Sequence, residues 1–161
     1  MDTLFLHLKN ATVLFDEPYF NSLSVKGKVH VKNFSQHRYA YINKKIKGKT
    51  KTYLVHRLIM ESVLNRKLNR SEFVDHKNGD SLDNRINNLR ICSIKENSRN
   101  RKSKTKGVRL LTSGRYSARI TVDGKELYLG SFDTVQEANS AYNLAATKYF
   151  GSFASLNEVS T

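Results

Sequence analysis

Asp75 and His76 stand side by side in Phe73-Val74-Asp75-His76-Lys77-Asn78-Gly79, and Asn84, Asn87, Asn88 and Asn97 follow. No common fold needs that composition for packing. Metal-assisted hydrolysis of a phosphodiester has a use for it. That reaction requires an activated water and a stabilised leaving oxygen, and a single hard divalent cation can serve the second need. Hard cations prefer oxygen ligands, which an Asp carboxylate and an Asn carbonyl supply. An imidazole suits the first need, because its pKa lies near working pH. Asp75 and Asn97 are therefore candidate metal ligands and His76 the candidate general base. Asn88 is the candidate partner that accepts from one imidazole N–H and leaves the other nitrogen free. Asn87 competes with Asn88, and Asn100 with Asn97. Asn78, Asn84 and Asn87 also have a plainer use as turn residues.

The elements around these residues must bring them together. Neighbouring side chains on a strand point to opposite sides, so the strand Phe73–His76 has to end or bend at His76. Asn78-Gly79 favours a turn with positive φ at that point. Leu89–Cys92 alternates as a second strand. Ser93-Ile94-Lys95-Glu96 has the form of a capping box, so a helix should begin at Ile94 and carry Asn97 just past its first turn. The expected unit is strand, loop, strand, helix. Upstream, Thr12–Phe15, Val29–Val31, Arg38–Ile42 and Lys51–Val55 read as short strands, with a hairpin turn at Lys47-Gly48-Lys49. Five lysines between Lys44 and Lys51 make either a solvated hairpin tip or a phosphate contact. Leu58, Ile59, Ser62 and Val63 fall at helical spacing, which predicts a short helix over 55–64. His56, at its start, is either a packed or capping histidine or a group that backs the site or touches phosphate.

The chain has 161 residues and a net charge of +14, from 28 Lys+Arg against 14 Asp+Glu, with a pI near 10. A surplus of that size implies a polyanionic partner, nucleic acid before an anionic membrane. No apolar run approaches the roughly 20 residues of a membrane span. No secretory signal is evident at Met1-Asp2-Thr3, and the single Cys92 suits a reducing compartment, so a cytoplasmic location is expected. One cysteine also removes Cys-based zinc sites. Arg99 to Lys106 contains no apolar residue, which marks a helix end and linker with a domain boundary near 103. Beyond it, Gly107–Arg109, Arg115–Val122 and Glu126–Gly130 predict three strands, with turns at Ser113-Gly114 and Asp123-Gly124-Lys125. Thr134-Val135-Gln136-Glu137 is a second capping box. The helix after it sets Val135, Ala138, Ala141, Tyr142, Ala145 and Tyr149 on one stripe and stops at Gly151. That stripe would lie on one sheet face and leave the other to Arg109, Arg115 and Arg119.

Val74–Gly79, Asn84-Arg85, Asn87-Asn88-Leu89-Arg90 and Glu96-Asn97 together resemble the HNH homing endonucleases of phages and introns, over roughly residues 52–100 and including Val55-His56-Arg57-Leu58. The resemblance implies a ββα-metal motif in which Asp75 and Asn97 bind the metal, His76 is the general base and Asn88 orients it. Asn97 stands where the name-giving motif has its final His, which suggests one Mg2+ or Mn2+ ion in an oxygen-rich shell. Residues 104–157, through Gly107-Val108-Arg109, Arg115–Ile120, Tyr128–Phe132, Glu137-Ala138, Ala141-Tyr142 and Gly151 to Asn157, resemble the Apetala-two type DNA-binding domain of plant ethylene-response factors. That likeness implies a sheet that enters the major groove with Arg109, Arg115, Tyr116 and Arg119 on its outer face. Tyr116 replaces a usual tryptophan and Arg119 a frequent glutamate, so base preference does not carry across. Lys102 and Lys104 in the linker are further candidate DNA contacts.

The expected fold class is α+β: a ββα-metal nuclease domain over 1–102 (core about 73–102) with preceding β-hairpins, then a small three-stranded antiparallel sheet packed on one helix over 103–161. The expected function is that of a monomeric, site-specific, metal-dependent homing endonuclease that nicks double-stranded DNA, with no membrane partner. The rival classes are a sequence-specific DNA-binding regulator with an inactive nuclease half, and an RNA-binding module.

Overall fold

A computed structural model describes residues 2–24, 27–34, 37–99 and 105–159. Its contacts divide the chain into two compact units, Met1–Ile94 and Lys95–Thr161.

In the first unit, β1 (Thr3–Leu8) and β2 (Ala11–Asp16) form an antiparallel hairpin, followed by helix α1 (Glu17–Ser24). Neither β1 nor α1 was expected from the sequence. Leu4, Leu6 and Leu8 alternate only partly with polar residues. Pro18 masks the helix, yet it falls in the first turn, where a missing N–H costs nothing. β3 (Val29–Phe34), β4 (His37–Ile46) and β5 (Lys49–Leu54) make a three-stranded antiparallel meander. The β4–β5 turn is Lys47-Gly48, with φ of 50° and 76°. Two consecutive left-handed residues are what a two-residue hairpin of the favoured twist requires. Helix α2 (Val55–Val63) follows and buries Val55, His56, Ile59 and Met60. Val55, Ile59 and Met60 join Val13, Phe15, Ala40, Ile42 and Leu89 in one core.

β6 (Phe73–His76) and β7 (Leu89–Cys92) pair antiparallel, with Asp75 opposite Arg90 and His76 opposite Leu89. Gly79 has φ 73° and its N–H donates to the His76 carbonyl at 2.8 Å, so the strand does turn where the sequence demanded it. The loop 77–88 is sewn onto β2: the Leu14 N–H donates to Leu82 O at 3.0 Å and the Asn84 N–H to Leu14 O at 2.9 Å. Helix α3 (Ile94–Arg99) completes the expected strand, loop, strand, helix order.

The second unit holds β8 (Val108–Leu110), β9 (Tyr116–Val122) and β10 (Lys125–Phe132) in the antiparallel order β10-β9-β8, with α4 (Val135–Phe150) packed on one face. The division falls earlier than the boundary expected near 103, a position that itself lies outside the described residues. Arg99 explains the difference. Its guanidinium stacks 4.6 Å from the Phe150 ring centroid and lies 3.6 Å from the Asp123 carboxylate, and its carbonyl accepts from Lys106 Nζ at 2.7 Å. Helix α4 begins with the predicted capping box, Thr134 Oγ1 accepting from the Glu137 N–H and Glu137 Oε2 from the Thr134 N–H, both at 3.2 Å. Its buried stripe is Ala138, Asn139, Tyr142, Ala145 and Ala146. Tyr149 is exposed instead, because Ala146 lies closer to the centre of the stripe and the helix ends one turn later at Gly151. Asn157 closes the unit. It accepts from the Lys106 N–H at 2.6 Å, donates to Lys106 O at 2.9 Å and to Asn139 Oδ1 at 3.1 Å.

Gly107 opens the second unit with φ 68°, and a Cβ there would lie 2.1 Å from Arg119 O and 2.6 Å from the Tyr142 ring. Backbone cannot yield as a flexible side chain does. Gly107→Ala is expected to destabilise the second unit by more than about 2 kcal/mol, read as a lower thermal midpoint in a melt of the full chain.

Candidate active site

Asp75 and His76 occupy the last two positions of β6, and both are buried. Asp75 faces across the ribbon to Arg90. Arg90 Nε donates to Asp75 Oδ2 at 2.8 Å and Nη2 lies 2.6 Å from the same oxygen. This pair was not foreseen in the sequence, although antiparallel register makes it follow once β6 and β7 are aligned. The carboxylate is thereby held in one orientation.

His76 turns the other way, toward α2 and β4. Its ring centroid lies 5.2 Å from that of His56, with the rings nearly perpendicular at 86°, and 6.3 Å from Tyr39. Tyr39 and His56 are 5.4 Å apart. Three rings from three elements thus meet at the end of β6. Burial holds the His76 imidazole below the usual histidine range; the Asn84 side chain and the carboxylates of Asp75, Asp80 and Asp83 oppose that shift. The imidazole is therefore neutral at pH 7, the state in which it can accept a proton. Burial, with the nearby Asp75 charge, raises the Tyr39 hydroxyl, so it stays protonated. Burial drives His56 down to about 3, helped by His76 and Arg57.

Asn88 is not the partner of His76. Its amide carbonyl accepts from the Asn78 N–H at 3.0 Å, and its amide nitrogen donates to Asn78 Oδ1 at 3.0 Å and Asp83 O at 2.8 Å. All its capacity goes into holding the loop closed. The reason is position: Asn88 ends a 3-10 turn, Ile86–Asn88, that points it back into the loop. Asn84 is fully buried, donates to Leu82 O at 3.0 Å, and is one of the groups that oppose the lowering of His76. From the sequence it had a turn role and a place in the HNH resemblance. Tyr39 had no signal at all, being remote in sequence on another sheet. Asn78, by contrast, is a turn residue as expected, its Oδ1 accepting from the Asp80 N–H at 2.8 Å.

Asn97 lies on α3 with its side chain exposed. Asn100, Lys102 and Lys104 lie outside the described residues. Among the described residues, no group of three or more His, Cys, Asp or Glu side chains gathers around one point. A fixed carboxylate such as Asp75 is a ligand that suits a small hard cation, which keeps waters and takes further ligands from a phosphate.

On the second unit, Arg109 and Arg119 are exposed on the face away from α4. Arg119 is held in place by Glu126, at 2.7 Å, and lies over the Tyr128 ring at 5.8 Å. Arg115 precedes β9 and is tied down, to Asp133 at 2.9 Å and to Ser131 O at 2.8 Å. Tyr116 does not belong with the arginines. It packs against the Ala118, Ile120 and Tyr142 core, because strand alternation puts 116, 118 and 120 on the helix side.

Residues 53–99 match the HNH endonuclease family. An HNH endonuclease of Acanthamoeba polyphaga mimivirus, itself uncharacterized, is 32% identical over 107 residues, covering 65% of this chain. The chain spans 57% of that relative's length. Residues 53–99 are an HNH endonuclease domain.

The low position of His56 has a consequence for stability. Folding with a neutral imidazole leaves the unfolded chain with more bound protons below its ordinary value of 6.5. Its contribution is complete above pH 6.5 and is lost as pH falls toward about 3. A series of thermal melts should show the midpoint falling through that window, with a slope of up to about 1.4 kcal/mol per pH unit from this one group. His56→Phe should flatten it.

Proposed function

We propose that the protein is a metal-dependent, site-specific DNA endonuclease of the homing type, and that it nicks one strand. The observation that carries the reading is the end of β6, where an oriented carboxylate and a neutral buried imidazole sit on adjacent residues. His76 accepts the proton of the attacking water. The rings of Tyr39 and His56 pack around the imidazole, and Asn88 keeps the loop 77–88 closed. Asp75 and Asn97 are the oxygens that would hold Mg2+ or Mn2+. The bound cation supplies charge stabilisation at the leaving oxygen. Arg90 fixes which way the Asp75 carboxylate points. One such constellation in a monomer serves one strand, which is why nicking is favoured.

The net charge of +14 supports a DNA partner, since neutralising phosphates releases counterions. The sequence of the second unit resembles the Apetala-two type DNA-binding domain, and we assign it the role of holding the target. Arg109 and Arg119 are the side chains placed to meet DNA. Arg115 lies at the margin of that face, and Lys102 and Lys104 belong to the same basic stretch of sequence.

Two measurements test the reading. With supercoiled plasmid and Mg2+ or Mn2+, the protein should give nicked circles, and chelator should abolish them. His76→Ala should slow cleavage by about 100-fold or more; equal cutting by this variant would defeat the mechanism. For the second unit, Arg109→Ala and Arg119→Ala should each weaken duplex binding about tenfold and lower the log–log salt slope by about 1 wherever a phosphate contact is lost. Unchanged affinity in both variants would remove that face from the interface.

A further inference from the structure

His56 is 6% exposed, and its Nδ1 is buried with no hydrogen-bond partner among the described residues. A phenyl ring would fill the same space without taking a nitrogen out of water. An imidazole kept at that cost needs a use. The group it addresses is His76, whose ring stands perpendicular to it at 5.2 Å. Tyr39 packs against both, at 5.4 Å from His56 and 6.3 Å from His76.

His56 is itself held firmly. It is the second residue of α2, and the next residue, Arg57, anchors that helix to the segment before β6. Arg57 Nη1 donates to Glu72 O at 2.9 Å, and Nη2 donates to Leu68 O at 2.6 Å and Asn69 O at 2.9 Å. Three carbonyls thus fix the start of α2 against the approach to the strand that carries Asp75 and His76. The placement of one ring against the other is set by backbone on both sides.

We propose that His56 is a positioning residue for phosphodiester cleavage: its polar ring fixes the plane of the His76 imidazole, so the base meets the attacking water in one orientation. The proposal rests on the nuclease reading above. Its basis is that a base held in a single attack geometry avoids an orientational loss that can reach about 100-fold in rate. Packing alone would be served as well by phenylalanine.

The experiment compares full-length wild type, His56→Phe, His56→Gln, His56→Ala and the His76→Ala control in the plasmid assay, alongside thermal melts and the His76 ring proton signals by NMR at one pH. His56→Phe should melt at the same or a higher temperature than wild type, yet lose at least about tenfold in kcat with KM unchanged. His56→Gln, which returns a polar group, should recover part of that loss while melting lower. Wild-type kcat in a folded His56→Phe overturns the proposal. Should the phenylalanine variant fail to fold, the glutamine variant decides: activity above that of His56→Ala supports it, and activity equal to His56→Ala overturns it. If wild type cuts no DNA with either ion, the nuclease reading falls, and the ring signals still decide on positioning. Broadened or shifted His76 signals in the variants support it, and unchanged signals overturn it.

Discussion

The ion pair between Asp75 and Arg90 is the contact on which the site is built. β6 and β7 are four residues each, too short to stand as an isolated ribbon. Their pairing is secured by α2 on one side and by this charge pair within the ribbon. A buried carboxylate without a partner is costly, and the guanidinium opposite offsets that cost while setting the orientation of the oxygens. Register does the rest. Asp75 opposite Arg90 forces His76 opposite Leu89, and the next side chain along the strand then turns into the space between α2 and β4. The carboxylate and the imidazole share one strand end and leave it on opposite sides, the first against Arg90 and the second against Tyr39 and His56.

The loop between the two strands is held by amides more than by charge. Asn78 and Asn88 bond to each other twice, and each also bonds to Asp83. Asp83 is in turn clamped by Arg85, at 2.7 and 2.8 Å. Amide side chains can both donate and accept, so a tight loop can satisfy its buried backbone groups without adding net charge beside His76. The same economy places Asp16 under the loop, where its carboxylate accepts from the Ile86 N–H at 2.6 Å. The hairpin β1–β2 therefore supports the loop that carries Asn84 and Asn88.

Local order was legible where it follows from spacing. The strand before Asn78-Gly79, the helix after Ser93, the two left-handed turns at Lys47-Gly48 and Asp123-Gly124, and the capping box at Thr134 are all written within a few residues. Asp75 and His76 were legible for the same reason, as neighbours of an unusual kind. Roles that depend on how separate elements meet were not. Asn88 and Asn84 differ by four positions in one polar loop, and only the folded loop shows that Asn88 spends its amide on Asn78 and Asp83 and Asn84 on Leu82 O. Tyr39 reaches the site through the three-stranded meander, and Tyr116 leaves the outer face through strand parity. The early division at Lys95 reflects Arg99 stacking on Phe150, a contact between residues that no periodicity connects.

Asn157 returns the chain to Lys106, so the two ends of the sheet-and-helix body lie hand in hand. A fold whose entrance and exit coincide presents a single seam to whatever sequence it is joined to. Arg99, from the segment before that seam, adds its stack on Phe150 to the closure. The unit has the build of a clasped ring, with one asparagine as the clasp.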